Sequence, residues 1–248
     1  NFSHAYHNFF SRYNIDTYIS VWDKQEYSSN ITEEHLLPWK SNANLIKYKI
    51  HDLELYNKEK ELYTLDYERQ HSIEEICSFT KHQIFAKFMD QSKQADRKTH
   101  CGFGPEAVEY WANRIKDQYY MIRKSYNLID NYQEYDMIVR LRFDYLFLTP
   151  LVLEKTQQKL VLASNTEGNM HYDCIQYGRP EIMKKYLLLH DHINHFISNL
   201  NYLNRLSYKT FNAESMMKYY MEEHGENKYK THMNPNLRED INFILQRG

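Results

Sequence analysis

The segment YDMIVRLRFDYLFLTPL, residues 135 to 151, sets charged groups into the most hydrophobic stretch of the chain. Arg140, Arg142 and Asp144 stand there among apolar side chains. A guanidinium presents a planar fork that matches phosphate oxygens. One or two carboxylates, completed by phosphate oxygens, suffice to hold Mg2+ or Mn2+. Two arginines and an aspartate closing one apolar segment are thus suitable parts for holding a diphosphate with its cation. The same groups also fit a purely structural reading. An unpaired buried charge is very costly, so pairing of Arg142 with Asp144, or with nearby groups, would hold the end of the segment.

These side chains need an element to aim them. Residues 135–142 are apolar, without Gly or Pro, and predict a buried strand. Side chains alternate along a strand. Met137, Val139 and Leu141 then share one face, and Ile138, Arg140 and Arg142 the other, with Asp144 continuing that second parity if the chain stays extended. In an open α/β sheet, ligands occupy the crevice outside the carboxyl ends of the strands. Arg142 and Asp144 fall at such an end.

Further strands are expected at 14–22, 45–50, 159–164 and, shorter, 172–177. Helices are expected at 30–43 with an interruption at Pro38, at 70–92, at 105–131, from GRPEIM to about residue 200, and at 212–223. In the 105–131 helix Val108, Trp111, Ile115, Tyr119, Ile122, Tyr126 and Ile129 recur at spacings of three and four, as one buried face requires. Residues 51–66 yield no firm assignment, and INFILQRG at the end fits a strand or a helix. Strands alternating with helices predict an α/β layered domain with a mainly parallel central sheet flanked by helices. No Gly/Ser/Pro-rich linker divides residues 1–248, so a single domain is expected.

Composition narrows the field. Hydrophobic residues make up 42% of the 248, enough for a substantial core, and 23 tyrosines supply apolar bulk with a polar tip. The formal charge of −2 gives no case for binding nucleic acid or an anionic membrane. Cys77, Cys101 and Cys174 form no CxxC pair and are odd in number, which suits a reducing compartment. No apolar run reaches the length of an integral membrane segment, and no signal peptide is visible.

With these residues in view, a resemblance emerges. YDMIVRLRFDYLFLTPL resembles the motif of a family of bacterial and large-virus glycosyltransferases, in which a YDxVIRxRxDLxF segment ends a central strand of a GT-A fold. NIDTYISVWDK is similar to that family's early DVFIHTWD strand, and DQYYMIRKSYNLI to its SQYYKIKKANELI helix. NMHYDCIQYGRPEIMKKY is similar to NDQFAYGSPEIMKKY, and FNAESMMKYYMEEHG to HPEKLLKYHLEKNG. The ordered set spans most of the chain. Two departures stand out. The family's first strand and its SGxxRNF turn would lie ahead of NFSHAYHNF, so a strand is expected upstream of residue 1. The family's DxD triplet reads Arg142-Phe143-Asp144 here.

The resemblance implies transfer of a sugar from a nucleotide-diphosphate donor to a hydroxyl of a glycan or lipid-linked saccharide acceptor. It implies a divalent cation, Mn2+ or Mg2+, with Asp144 as its ligand in the donor region. Arg140 and Arg142 would lie near the donor. Asp173 matches the Asp of NDQFAYG and is the first candidate for contacting the sugar and serving as base. Glu214 matches the HPE glutamate and is the second. A turn or helix cap accounts equally for Asp173, and a favourable charge at a helix start for Glu214. Asp23 ends another expected strand and could face the crevice, or simply begin a loop. Gln118 and Arg123 belong to the SQYYK-like helix and are weaker donor-pocket candidates, while Tyr119 lies on its apolar stripe. The implied setting is cytoplasmic, at most peripheral to the inner face of the membrane.

Other signals point elsewhere. His190, His192 and His195 lack the spacing of a metal set and read as a solvated face. CGFGP at 101–105 is not a phosphate loop, lacking the GKS/T ending. Two alternatives to a transferase remain open: a non-catalytic sugar- or nucleotide-binding relative of the same fold, and a helix-rich interaction protein with a tyrosine surface.

Overall fold

The computed structural model describes residues 6–24, 30–68, 71, 105–142, 145–153, 159–164, 171–197, 213, 216–217, 220–221, 230–238 and 243–245. The chain is mixed α/β. Strand β1 (Thr17–Trp22) is built of β-branched and aromatic residues. It pairs in parallel with β2 (Leu45–His51), in register from Thr17↔Leu45 to Trp22↔His51. A 3-10 turn (Glu33–Leu36) and helix α1 (Leu37–Asn42) connect them. Pro38 sits in the first turn of α1, where a missing N–H costs nothing, so it opens that helix instead of breaking a longer one. Asn44 then turns the chain into β2 with φ 42°, a conformation asparagine tolerates.

Helix α2 (Leu53–Glu59) lies where the sequence gave no assignment. Asp52 caps it, accepting the Leu55 N–H at 2.8 Å. Helix α3 (Pro105–Tyr126) buries Ala112, Ile115, Tyr119, Ile122 and Tyr126 along one stripe, as expected. The expected 70–92 helix lies outside the described residues, apart from His71.

A four-stranded sheet runs in the order β3 (Ile138–Leu141), β6 (His171–Gly178), β5 (Lys159–Ser164), β7 (Lys230–Arg238). Here the mainly parallel expectation needs correcting. β5 and β7 are parallel, but β3–β6 and β5–β6 are antiparallel, as is β4 (Tyr145–Phe147) with β8 (Phe243–Leu245). Residues 165–170 are too few for the crossover that a parallel β5–β6 pair would need. β7 was not foreseen, because Pro235 interrupts its pattern. Among the described residues it stands at the sheet's edge, where a proline is tolerated.

Both faces of this sheet are covered. Ile138 and Leu160 face a core with α3 and helix α4 (Pro180–Leu187), around Ile182, Met183 and Tyr186. Val161, Ile175 and Tyr177 face a second core with Phe9, Phe10, Phe147 and Leu151, against which Met137, Val139 and Leu141 pack. The strand alternation expected for 135–142 is therefore observed. The expected helix to residue 200 is instead split into α4, a 3-10 turn (Leu189–His192) and α5 (Ile193–Ile197). Leu187 and Leu189 are both buried in the same core. Two residues apart on one continuous helix they would diverge, so the break lets both pack. Residues 213, 216, 217, 220 and 221 are helical and buried, the inward face of the helix expected at 212–223.

Within the described residues β1 is paired along one edge, by β2, and β3 along one edge, by β6. Consecutive residues of both strands line a single cleft of about 1690 Å3, among them Ser20, Val21 and Trp22, and Ile138 to Leu141. Neighbouring residues of a strand point to opposite faces, so a cleft touched by all of them runs along the strand edges. Amides on those two edges should exchange with deuterium roughly a hundredfold faster than amides of the same strands that bond β2 or β6. Hydrogen-exchange mass spectrometry with fragmentation reads this directly. Equal protection on both edges would mean that a further strand lies between β1 and β3.

Candidate functional site

The end of β3 carries the charges that opened the question. Arg140 stands directly across the antiparallel pair from Gln176 and donates from Nη1 to its Oε1 at 3.0 Å. Gln176 is fully buried, and the Tyr186 hydroxyl donates to the same oxygen at 3.2 Å. Arg140 is thereby tied to the neighbouring strand and to α4, which supports the structural reading for this arginine. Arg142 follows the last residue of β3 and lines the cleft, as does Gln118 on α3. The structure therefore brings Arg140, Arg142 and Gln118 to one cavity.

Asp144 and Glu214 lie outside the described residues. Asp173 belongs to β6, where its backbone is described. Leu141 pairs with Ile175. Asp173 therefore lies two residues along β6 from Ile175, the last residue paired with β3. Ala213, the neighbour of Glu214, lines the same cleft, and its carbonyl accepts the Tyr119 hydroxyl at 3.3 Å. Tyr119 itself is core, as its place on the apolar stripe implied.

Asp23 is engaged in the framework. Its N–H donates to the His51 carbonyl at 2.8 Å, its carbonyl accepts the Ile31 N–H at 2.7 Å, and its Oδ1 accepts the Leu53 N–H at 3.0 Å. These bonds join the ends of β1 and β2 to the start of α2. Asp23 is not among the residues lining the cleft. Arg123 pairs with Asp191 at 3.3 Å, away from that lining. His190 departs from the solvated-face reading. Its ring meets Tyr120 at 5.7 Å, and burial lowers its pKa, opposed by Asp191.

One group of residues at the cleft escaped the sequence. Trp22 ends β1 and lines the cleft, stacked on Tyr120 of α3 with ring centroids 5.8 Å apart and planes 2° from parallel. Tyr56 of α2 packs against both rings, at 4.9 Å and 4.3 Å. The Tyr56 hydroxyl donates to Asp117 at 2.8 Å, and Lys60 Nζ reaches both oxygens of that carboxylate at 3.2 and 3.1 Å. Burial, reinforced by Asp117, pushes the Tyr56 hydroxyl pKa upward, so it remains a donor. His51 meets Trp22 at 6.1 Å, and burial holds its pKa below the ordinary imidazole value. The available signal was the i, i+4 spacing of Tyr56 and Lys60, which carries meaning only once α2 is placed.

Among the described residues the carboxylates on the cleft lining are Asp16, Asp117, Glu134 and Asp136. Among the described residues no three His, Cys, Asp or Glu side chains come together as a ligand set. The described residues thus do not assemble the cation site that the resemblance implies, and its expected ligand, Asp144, stands outside them. No helix among them is long and apolar enough to cross a membrane.

No protein-family model matches the chain, and neither a curated protein nor a solved structure does.

Proposed function

We propose that the protein is a glycosyltransferase of GT-A-like architecture, moving a sugar from a nucleotide-diphosphate donor to a hydroxyl of a glycan or lipid-linked acceptor. The observation that carries this reading is the placement of Arg142 and Gln118 on one large cleft at the carboxyl end of β3. In this reading the donor occupies the crevice at the strand ends. Arg142 neutralises the leaving diphosphate through its planar fork. Gln118 offers an amide to the donor's polar groups. Asp173, on the strand antiparallel to β3, holds or deprotonates the acceptor hydroxyl. Arg140 keeps β3 in place through Gln176. A divalent cation, Mn2+ or Mg2+, would be held through Asp144 and would add positive charge against the diphosphate.

A screen of nucleotide diphospho-sugars by thermal shift, with and without Mn2+, tests the reading. A donor at one hundred times its Kd stabilises the fold by about 2.7 kcal/mol, a rise of several degrees in Tm. Stabilisation with hydrolysis or transfer of the sugar supports a transferase. Stabilisation without turnover, under any acceptor, favours the alternative of a non-catalytic nucleotide-sugar binder. No shift with any nucleotide sugar removes the proposal.

A further inference from the structure

Trp22 is packed by aromatic rings from three elements, His51 of β2, Tyr56 of α2 and Tyr120 of α3. It closes β1 at the cleft, and its ring is fixed by a parallel stack on Tyr120 and by Tyr56. Tyr56 then links the ring to a polar pair, because its hydroxyl bonds Asp117 while Asp117 takes both its oxygens to Lys60. Asp117 lies one helical turn before Tyr120 on α3, so carboxylate and ring share one side of that helix. Asp117 keeps 33% and Lys60 20% of its side chain exposed, so the pair remains in contact with solvent. Asn57, beside Tyr56, is exposed, and it lines the cleft together with Trp22, Lys60, Asp117 and Gln118. The indole thus reaches the Asp117–Lys60 pair through Tyr56, and Asn57 lines the same cleft.

A pyranose ring has the complementary chemistry. Its axial C–H bonds form an apolar face that lies on an indole, and its equatorial hydroxyls both donate and accept at the rim. Indole supplies large apolar contact at little entropic cost, because few of its torsions must be frozen. A nucleobase would use the same ring face. The Asp117–Lys60 pair with Asn57 suits several adjacent hydroxyls better than the flat edge of a base.

We propose that Trp22, Asn57, Lys60 and Asp117 form a saccharide-binding subsite that seats the acceptor's pyranose ring. This assignment of the ring as acceptor rests on the transferase reading, but the binding of a sugar there does not.

The test uses the full chain and methyl glycosides of the common pyranoses, with uridine as the nucleoside probe. Binding is followed by saturation-transfer NMR and by titration of intrinsic fluorescence. At least one methyl pyranoside is expected to bind, with saturation strongest at its ring C–H protons. Trp22→Ala should weaken that glycoside tenfold or more, and Asn57→Ala, at an exposed position that leaves the fold intact, about threefold to tenfold. Nucleotide-diphosphate stabilisation should survive in Asn57→Ala, since Arg142 is untouched. Binding of a glycoside with no nucleotide sugar bound anywhere would retain the subsite and remove the transferase reading. The subsite is overturned if no methyl glycoside binds, if binding is unchanged in both variants, or if Trp22 protects uridine and no sugar.

Discussion

On the proposed transferase reading, Arg142→Ala is expected to lower kcat/KM for the nucleotide-sugar donor by roughly 10²–10³-fold, the usual loss when one preorganised group is removed from developing charge. The reason is geometric. Arg142 stands just past the last residue of β3 and lines the cleft, so its guanidinium is carried by a strand held on both faces by packed cores. Arg142→Lys keeps the charge but loses the fork, and should recover only part of the rate, because Lys meets phosphate as a point charge. Steady-state kinetics of both variants, with circular dichroism to confirm folding, checks this. Wild-type turnover in Arg142→Ala would remove the arginine from the donor site and return it to the structural reading.

Gln176→Ala is expected to destabilise the fold by about 2–4 kcal/mol, through two buried hydrogen bonds lost and a small cavity opened. The side chain is fully buried, and its one oxygen accepts from both Arg140 and the Tyr186 hydroxyl. Removing it strips that acceptor from a guanidinium in the strand and from a phenol in the core. For a chain of this size the loss corresponds to a fall in Tm of about 5–15 °C. The double variant Arg140→Leu/Gln176→Leu should recover part of the loss, since removing both partners costs less than orphaning one. Denaturant titration measures all of these. A single variant within about 0.5 kcal/mol of wild type would show that Arg140 has no need of Gln176. Arg140 is tied to Gln176, Arg142 follows the last residue of β3, and both line the cleft.

Much of the local structure was legible. β5 fell on the expected residues 159–164, because a short apolar run bounded by polar residues has few other uses. The stripe of α3 was readable from its period alone, and so was the parity of residues 137–142. α2 was hidden, since its seven residues show no buried face and its clearest signal is the Asp52 cap. Pro235 masked β7, whose tolerance of a proline depends on lying at the sheet's edge. The split of the helix after Leu187 followed from a demand no pattern displays, that Leu187 and Leu189 reach the same core.

Read alone, the chain therefore determined the strands β1, β2, β3, β5 and β6, the buried stripe of α3, and that charge collects at the end of one apolar strand. Those properties are written in residue spacing, because side-chain direction follows backbone period. Only the tertiary structure decided the strand order, the antiparallel β3–β6 pairing that seats Arg140 on Gln176, and the union of Trp22, Tyr56 and Asp117 from three separate elements. Contacts between elements distant in sequence depend on how whole faces pack, and a local pattern carries no record of which face meets which.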